Sequence, residues 1–339
     1  MTNNITTISD ISDIYKLLEN DLSQVDELIN QNSQSKINPL TSQVAANIVK
    51  SKGKRLRPIL TILATKISNQ NHQLSDYLKL ASAVELIHSA TLLHDDVIDN
   101  SQKRRGQETA NYVWGNKASI LVGDFLFSTA FKLMVQSKSI DALESLANSA
   151  QIITDGEIMQ LQISNDITIS RQQYLQIAEC KTAALFASAC QVGAIITNQD
   201  QVKIDNFYHF GINLGICFQI VDDILDYSAQ NDQVGKNIGD DFFEGKITLP
   251  IILTYQSANL SEKEEIKNIF ARNIKNTKKD DDKLDYILNI MDKYNSINLA
   301  KKIVGQYQQK AINCLDNFED SIYLQALKFI LQFSVNRIY

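Results

Sequence analysis

The sequence predicts an all-α fold, a single-domain bundle of long helices. Three observations carry this. Glycine is 12 and proline 3 of 339 residues, against average usages of about 7% and 5%, and sheet-rich folds spend these residues in turns. Apolar residues recur at steps of three and four, the spacing of one helix face. An acidic pattern, Asp95-Asp96-Val97-Ile98-Asp99 and again Asp222-Asp223-Ile224-Leu225-Asp226, sits both times inside such an apolar helical stretch.

Residues 1–35 read as an N-terminal segment, a polar start followed by an amphipathic helix with the stripe Ile14, Leu17, Leu18, Leu22, Val25 and Ile29. The main body is expected over 36–339. Lys52 to Arg57 is a basic, glycine-containing turn, and Pro58 opens the next helix. Pro39 and Pro250 are further helix starts. Residues 76–99 read as one helix ending in the first acidic motif, with His88, Leu92, Asp95 and Asp99 on one face. His88 then lies about 10 Å from Asp95, at roughly 1.5 Å per residue.

A polar loop over 100–109 carries Arg104 and Arg105. The helix expected over 117–136 aligns Ile120, Phe127, Phe131 and Met134. Residues 140–164 and 171–197 continue as helices. Another covers 203–228 and ends in the second acidic motif, where Gln219, Asp222, Asp223 and Asp226 share a face beside Phe210, Leu214, Phe218, Val221 and Leu225. Gly235, Gly239 and Gly245 mark a loop that carries Lys236, Asp240, Asp241 and Lys246. Thr248 and Pro250 restart a helix as N-cap and first turn. Ser261-Glu262-Lys263-Glu264 fits a capping box. Lys278 to Lys283, with its three consecutive aspartates, reads as a solvated loop.

The formal charge of −6 argues against general nucleic-acid binding, which favours broad basic surfaces. A phosphorylated substrate needs only a few local cations. The cysteines at 180, 190, 217 and 314 show no CxxC spacing and read as free thiols of a reducing compartment. Four histidines are too few for a histidine-rich metal site. No run approaches 18 uninterrupted apolar residues, and the polar start lacks a signal-peptide core. A soluble cytoplasmic protein is expected, with at most transient membrane contact.

Chemistry concentrates in the acidic motifs. Asp95 and Asp99 are four apart, so like charges share one helix face and cost a few tenths of a kcal/mol. Hard cations neutralise such clusters, and Mg²⁺ sits on one or two carboxylates plus substrate phosphates. The counter-charges are Lys54, Arg57, Arg104, Arg105, Lys181, Lys236 and Lys246. Arginine forks and lysine point charges of this number suit two diphosphates, one held through metals and one held directly. Plainer readings stand beside this one: the Gly53 to Pro58 segment alone equally fits a surface turn, and His88 fits a hydrogen-bonded structural residue. His94-Asp95 matches the dipeptide of metal-dependent phosphohydrolases, but the further histidines those need are missing.

Ordered blocks make the chain resemble the trans-polyprenyl diphosphate synthases over roughly 35–339. They are Gly53-Lys54-Arg55-Leu56-Arg57-Pro58, Glu85-Leu86-Ile87-His88, Leu92-Leu93-His94-Asp95-Asp96-Val97-Ile98-Asp99, Arg104-Arg105-Gly106, Leu121-Val122-Gly123-Asp124-Phe125, Lys181-Thr182-Ala183, Phe218-Gln219-Ile220-Val221-Asp222-Asp223 and Gly235-Lys236-Asn237-Ile238-Gly239-Asp240-Asp241. Lys52 stands where the family often has a second glycine. Within the family, Ala90 to Asp99 and Phe131 to Met134 look most like bacterial octaprenyl diphosphate synthase.

The resemblance implies a helical bundle of the isoprenoid synthase type with a central tunnel, in a homodimer. It implies head-to-tail condensation of isopentenyl diphosphate onto an allylic diphosphate such as farnesyl diphosphate, for a quinone side chain. The catalytic set it implies is Asp95, Asp96, Asp99, Asp222, Asp223, Asp226 and Lys181. Asp95 and Asp99 would hold two magnesium ions and Asp222 a third. Arg104, Lys181, Thr182, Gln219, Lys236 and Lys246 would serve the allylic diphosphate. Lys54, Arg57, His88 and Arg105 would hold isopentenyl diphosphate. Ala90 and Thr91 leave passage for the growing chain, and Phe127, Phe131 and Met134 would block its far end. Other product lengths in the same family (decaprenyl, geranylgeranyl, farnesyl) stay open. A terpene cyclase would replace the second aspartate cluster by an Asn/Ser/Glu pattern. A non-catalytic synthase subunit would have no reason to keep both clusters and the basic set.

Overall fold

The helical periodicity of the chain is realised in a computed structural model that describes residues 7–50, 53–68, 75–104, 106–228, 238–271 and 281–338. Its helices are α1 Ile11–Leu17, α2 Glu19–Asn32, α3 Pro39–Lys50, α4 Leu56–Ser68, α5 Asp76–Ile98, α6 Ala110–Trp114, α7 Asn116–Gln136, α8 Ile140–Gln162 and α9 Arg171–Ala178. After a π-helical turn, Glu179–Ala183, come α10 Ala184–Ile195, α11 Gln201–Asp226, α12 Asp240–Phe243, α13 Leu249–Ser257 and α14 Leu260–Ala271. The series ends with α15 Asp281–Lys293, α16 Ser296–Asn313 and α17 Ile322–Asn336.

Two compact units form. Unit 1 comprises residues 1–150, 185–211 and 314–330; unit 2 comprises 151–184, 212–313 and 331–339. In unit 1, α5 packs on α7, α4 and α2. It is apolar on nearly every face before its acidic end, the composition of a buried helix. In unit 2, α13 packs on α16, α15 and α9, and a core of Tyr227, Phe242, Ile251, Phe270, Leu284, Ile287 and Met291 lies under the second acidic motif.

Close helix approach depends on glycine. A Cβ on Gly123 of α7 would stand 2.2 Å from His94 Nε2 on α5. One on Gly215 of α11 would stand 2.4 Å from the Ala183 Cα, and one on Gly211 2.4 Å from the Ala187 Cα. Gly156 meets the π turn in the same way, 2.9 Å from the Lys181 backbone nitrogen.

The structure departs from the sequence reading in several places. The N-terminal helix breaks at Leu18, whose φ of −109° and ψ of 14° leave the helical region, and α1 starts with a capping box between Asp10 and Asp13. The loop over 100–109 contains a small hairpin, Lys103–Arg104 (β1) paired with Gln107–Glu108 (β2). The α14 capping box is formed by Asn259 and Glu262 rather than from Ser261, because Asn259 is the residue just outside the helix, where its Oδ1 accepts the third backbone N–H, whereas Ser261 is already inside the first turn. Thr248 holds the N-cap backbone position of α13, but its side chain makes no capping bond. Gly235 lies outside the described residues.

Two substitutions separate packing from propensity. Gly215→Ala forces a Cβ into backbone and should destabilise the protein by about 1–3 kcal/mol. Gly305→Ala on α16 meets nothing within 4 Å and should stabilise by about 0.5–1 kcal/mol through helix propensity. Thermal melts of both variants check this pair, which fails if both shift the same way.

Candidate active site

Successive helix residues point about 100° apart, so adjacent aspartates cannot share an environment. Asp96 turns into unit 1 and is 2% exposed, while Asp95 and Asp99 are half-buried. Arg104 of the hairpin satisfies Asp96: its Nε and Nη2 both lie 2.9 Å from one carboxylate oxygen. Asn111 donates to the backbone oxygens of Asp96 and Ser101, at 3.0 Å each. The hairpin is thus tied to the acidic helix end. Arg105 follows Arg104 but lies outside the described residues.

Unit 2 repeats the arrangement. Asp223 is 2% exposed, and Asp222 remains half-buried. Tyr174 Oη donates to Asp223 at 2.5 Å, Gln219 Nε2 at 2.8 Å and the Leu249 N–H at 3.3 Å. Burial, and then the charge of Asp241, push the Asp223 carboxyl up to about 7, although the three hydrogen bonds favour its ionised form. Burial and then Asp223 raise the Tyr174 hydroxyl well above its usual range, so Tyr174 is the donor. Asp226, also 2% exposed, accepts the Asp241 N–H at 3.1 Å, and its carbonyl accepts the Gly239 N–H at 2.8 Å. Gly239, at φ +81°, makes the reversal that docks this loop.

The remaining cations have partners within their own unit. Lys181 reaches Glu157 at 2.6 Å; it rides on the π turn, a widening common at functional sites. Thr182 Oγ1 donates to Gln219 Oε1 at 2.7 Å, which fixes the amide that also serves Asp223. Lys246 lies 2.6 Å from Glu244 and 3.5 Å from Asp241. Lys236 lies outside the described residues. Arg337 Nη1 lies 2.8 Å from Asp222, with its guanidinium 5.6 Å from the centre of the Phe218 ring.

In unit 1, Lys54 is exposed and Arg57 is half-buried. The Arg57 guanidinium stands 4.5 Å from the centre of the Phe186 ring, within cation–π range. His88 is half-buried on α5, and its carbonyl accepts a 2.8 Å bond from Thr91. His94 faces α7 instead, 3.1 Å from the Ile120 carbonyl and stacked on Phe127 at 6.2 Å. Ala90 is fully buried. The face assigned to Phe127, Phe131 and Met134 splits: Met134 is 1% exposed, whereas Phe131 is 46% exposed in the isolated chain. A fan of about 60° between positions three apart is enough to bury one side chain and leave the other outside.

Sequence reasoning missed Glu157, Tyr174 and Arg337. Tyr174 and Glu157 sit in unremarkable amphipathic helices, and Arg337 lies 115 residues from its partner. Among the described residues, no three His, Cys, Asp or Glu side chains converge into a ready-made ion cage. A magnesium site completed by substrate phosphates needs only one or two carboxylates, and the half-buried Asp95, Asp99 and Asp222 present hard oxygen donors. The residues therefore fit the ion that the sequence implies.

The chain is similar to known proteins over nearly its whole length. The sequence profile described as "Polyprenyl synthetase" matches residues 38–291. An octaprenyl diphosphate synthase of Haemophilus influenzae is 37% identical over 332 residues, 97% of this chain and 98% of the relative. The crystal structure of a decaprenyl diphosphate synthase from Rhodobacter capsulatus superposes with a TM-score of 0.91 at 34% identity, covering 97% of this chain and 100% of that one. A polyprenyl synthase from Caulobacter crescentus, complexed with calcium and isoprenyl diphosphate, gives 0.90 at 37% identity, covering 97% and 98%. With a profile spanning most of its length and relatives matched nearly end to end, the chain belongs to the polyprenyl synthetase family.

Proposed function

We propose that the protein is a trans-prenyltransferase that condenses isopentenyl diphosphate head-to-tail onto an allylic diphosphate to make a long-chain polyprenyl diphosphate, octaprenyl in length, for a quinone side chain. The observation that carries the reading is the repeated acidic arrangement. In each unit a helix ends in two adjacent aspartates, the first half-buried and the second buried and satisfied within the protein. The octaprenyl relative, and the calcium and isoprenyl diphosphate in complex with the Caulobacter enzyme, support the substrate class.

Asp95, Asp99 and Asp222 are the carboxylates that would hold magnesium, which supplies Lewis-acid stabilisation to the departing allylic diphosphate. Asp96 and Asp223 take a positioning role. Arg104, Lys181 and Lys246 supply preorganised positive charge to the allylic diphosphate, and Lys236 joins them by motif. Lys54, Arg57 and His88, with Arg105 by motif, hold isopentenyl diphosphate. Gln219 and Thr182, fixed by their mutual hydrogen bond, serve the allylic diphosphate. The proton lost at the end goes to the released diphosphate, so no separate protein base is needed.

We further propose a cytoplasmic homodimer. The helix α7 is long and apolar enough to cross a membrane by length and composition alone. Its exposed Leu121, Phe131 and Val135 form a face that a second copy would cover, since large exposed apolar patches mark interaction surfaces.

Three results test the reading. EDTA should abolish turnover and Mg²⁺ restore it, and Asp95→Ala or Asp222→Ala should each lower kcat by orders of magnitude with the circular-dichroism spectrum intact. Near-normal kcat in either variant removes that residue from the site. Arg57→Ala should chiefly raise KM for isopentenyl diphosphate, and Lys181→Ala should chiefly lower kcat; the reverse pattern would exchange the two diphosphate positions. Finally, Ala90→Phe should shorten the product to about 15–20 carbons, because a packed interior rejects added atoms at about 1–3 kcal/mol. Chromatography of the dephosphorylated products reads this, and an unchanged length would place the chain's path elsewhere.

A further inference from the structure

Arg55 lies within the basic turn, yet its surroundings differ from those of its neighbours. Its φ of +49° puts a side-chain-bearing residue in the left-handed region, which glycine would occupy without strain. Its side chain turns inward and is 14% exposed. Each guanidinium nitrogen has a partner there: Nε lies 3.1 Å from Asp26, Nη1 2.7 Å from Glu85, and Nη2 3.0 Å from the Val49 carbonyl. Strain of this kind persists where surrounding contacts over-determine it.

Those contacts link three parts of unit 1. Glu85 is one turn before His88 on α5, so Arg55 ties the basic turn to the helix that carries His88. Asp26 belongs to α2. From α1, the Tyr15 hydroxyl donates to the Lys54 carbonyl at 2.7 Å, and so fixes the peptide immediately before the strained residue. The Arg55 carbonyl accepts the Ile59 N–H at 3.0 Å, which seats the first turn of α4. Both N-terminal helices therefore contact the turn. The family profile begins only at residue 38, after α1 and α2.

α2 is also anchored independently of the turn. Lys66 lies 3.0 Å from Asp21, and Tyr77 hydrogen-bonds the same carboxylate. Asp26 is half-exposed by comparison. Asp26 is therefore not the sole tie of α2 to the body, and Ile14 of α1 is fully buried beside Tyr15 in the sequence.

We propose that α1 and α2 act as a brace for the basic turn, with Tyr15, Asp26 and Arg55 as positioning residues that hold Lys54 and Arg57 in register with His88 for isopentenyl diphosphate. This rests on the assignment of Lys54, Arg57 and His88 to that substrate. Arg55 itself does not touch the substrate on this view. Its fork spends its directional bonds on α2, α5 and Val49.

The test is initial-rate kinetics on the full-length chain carrying Tyr15→Phe, Asp26→Asn or Arg55→Gln. Each should raise KM for isopentenyl diphosphate by about fivefold or more, with KM for the allylic substrate and kcat within about twofold, the signature of lost uniform binding at one substrate. Arg55→Lys should recover only part of the loss, since it keeps the charge without the planar fork. A fall in melting temperature with both KM values unchanged would make these residues structural only and overturn the brace. An equal rise in both KM values would overturn it too. Arg57→Ala separates the brace from the substrate assignment beneath it. If it raises KM for isopentenyl diphosphate while the brace variants do not, the brace alone is wrong. If Arg57→Ala leaves that KM unchanged, the substrate assignment fails and the brace with it.

Discussion

Carboxyl groups buried in apolar surroundings govern the local architecture. An ionised carboxylate removed from water costs far more than a neutral group, and it persists only with partners that replace the lost hydration. Asp96, Asp223 and Asp226 are each 2% exposed. Asp96 takes Arg104, and with it the hairpin; Asp223 takes Tyr174 from α9, Gln219 from its own helix and the first N–H of α13. Asp226 takes the first turn of α12 through the Asp241 N–H. The segments that surround each acidic helix end are therefore those that supply donors to its buried acids. The half-buried Asp95 and Asp222, beside Asp96 and Asp223, are left pointing elsewhere, and on the proposed reading these are the groups that would meet the ion.

Backbone proximity sets the second constraint. Gly123, Gly156, Gly211 and Gly215 all stand where a Cβ would press within 3 Å of a neighbour. The π turn carrying Lys181 and Thr182 is contacted by two of them, Gly156 and Gly215. Glycine on both neighbours lets the adjacent helices approach the backbone of the widened turn closely. The placement of Lys181 beside Glu157, and of Thr182 against Gln219, follows from that tight seating. The positions of these two residues thus depend on glycines in the neighbouring helices.

Most helices were legible in the sequence because long apolar periodicity is a strong signal. The ends of α5, α7 and α11 lie within two residues of where the spacing places them. What was not legible depended on a single dihedral or a single distant partner. The break at Leu18 leaves the hydrophobic stripe unbroken, so periodicity is blind to it. The hairpin over Lys103–Glu108 is too short to alternate visibly. In the candidate site, the acidic motifs and the basic set announced themselves by composition, but which aspartate turns inward did not. That outcome is set by the partners Arg104 and Tyr174, and Tyr174 gives no local hint. Arg55 is the reverse case. Within the basic motif it reads as one more cation, and only the backbone sign at that position shows that its side chain leaves the turn on the other side.

The pairing of cations with carboxylates explains how a chain of net charge −6 can serve anionic substrates. Long-range attraction is not available at that charge, so recognition must be local. Yet isolated cations in a partly buried site would bear the desolvation cost alone. Arg104, Lys181, Lys246 and Arg337 each have a carboxylate within 3 Å, which keeps the charge stabilised and aimed before a ligand arrives. A diphosphate offers more acceptor oxygens and more negative charge than one carboxylate, so it competes well for a fork already held in place. The exchange is least costly where the carboxylate it displaces can take a cation in return. Asp222 is such a group: half-buried, oxygen-donating and facing Arg337. On the proposed reading, magnesium and diphosphate bind best together, because each satisfies the partner that the other sets free.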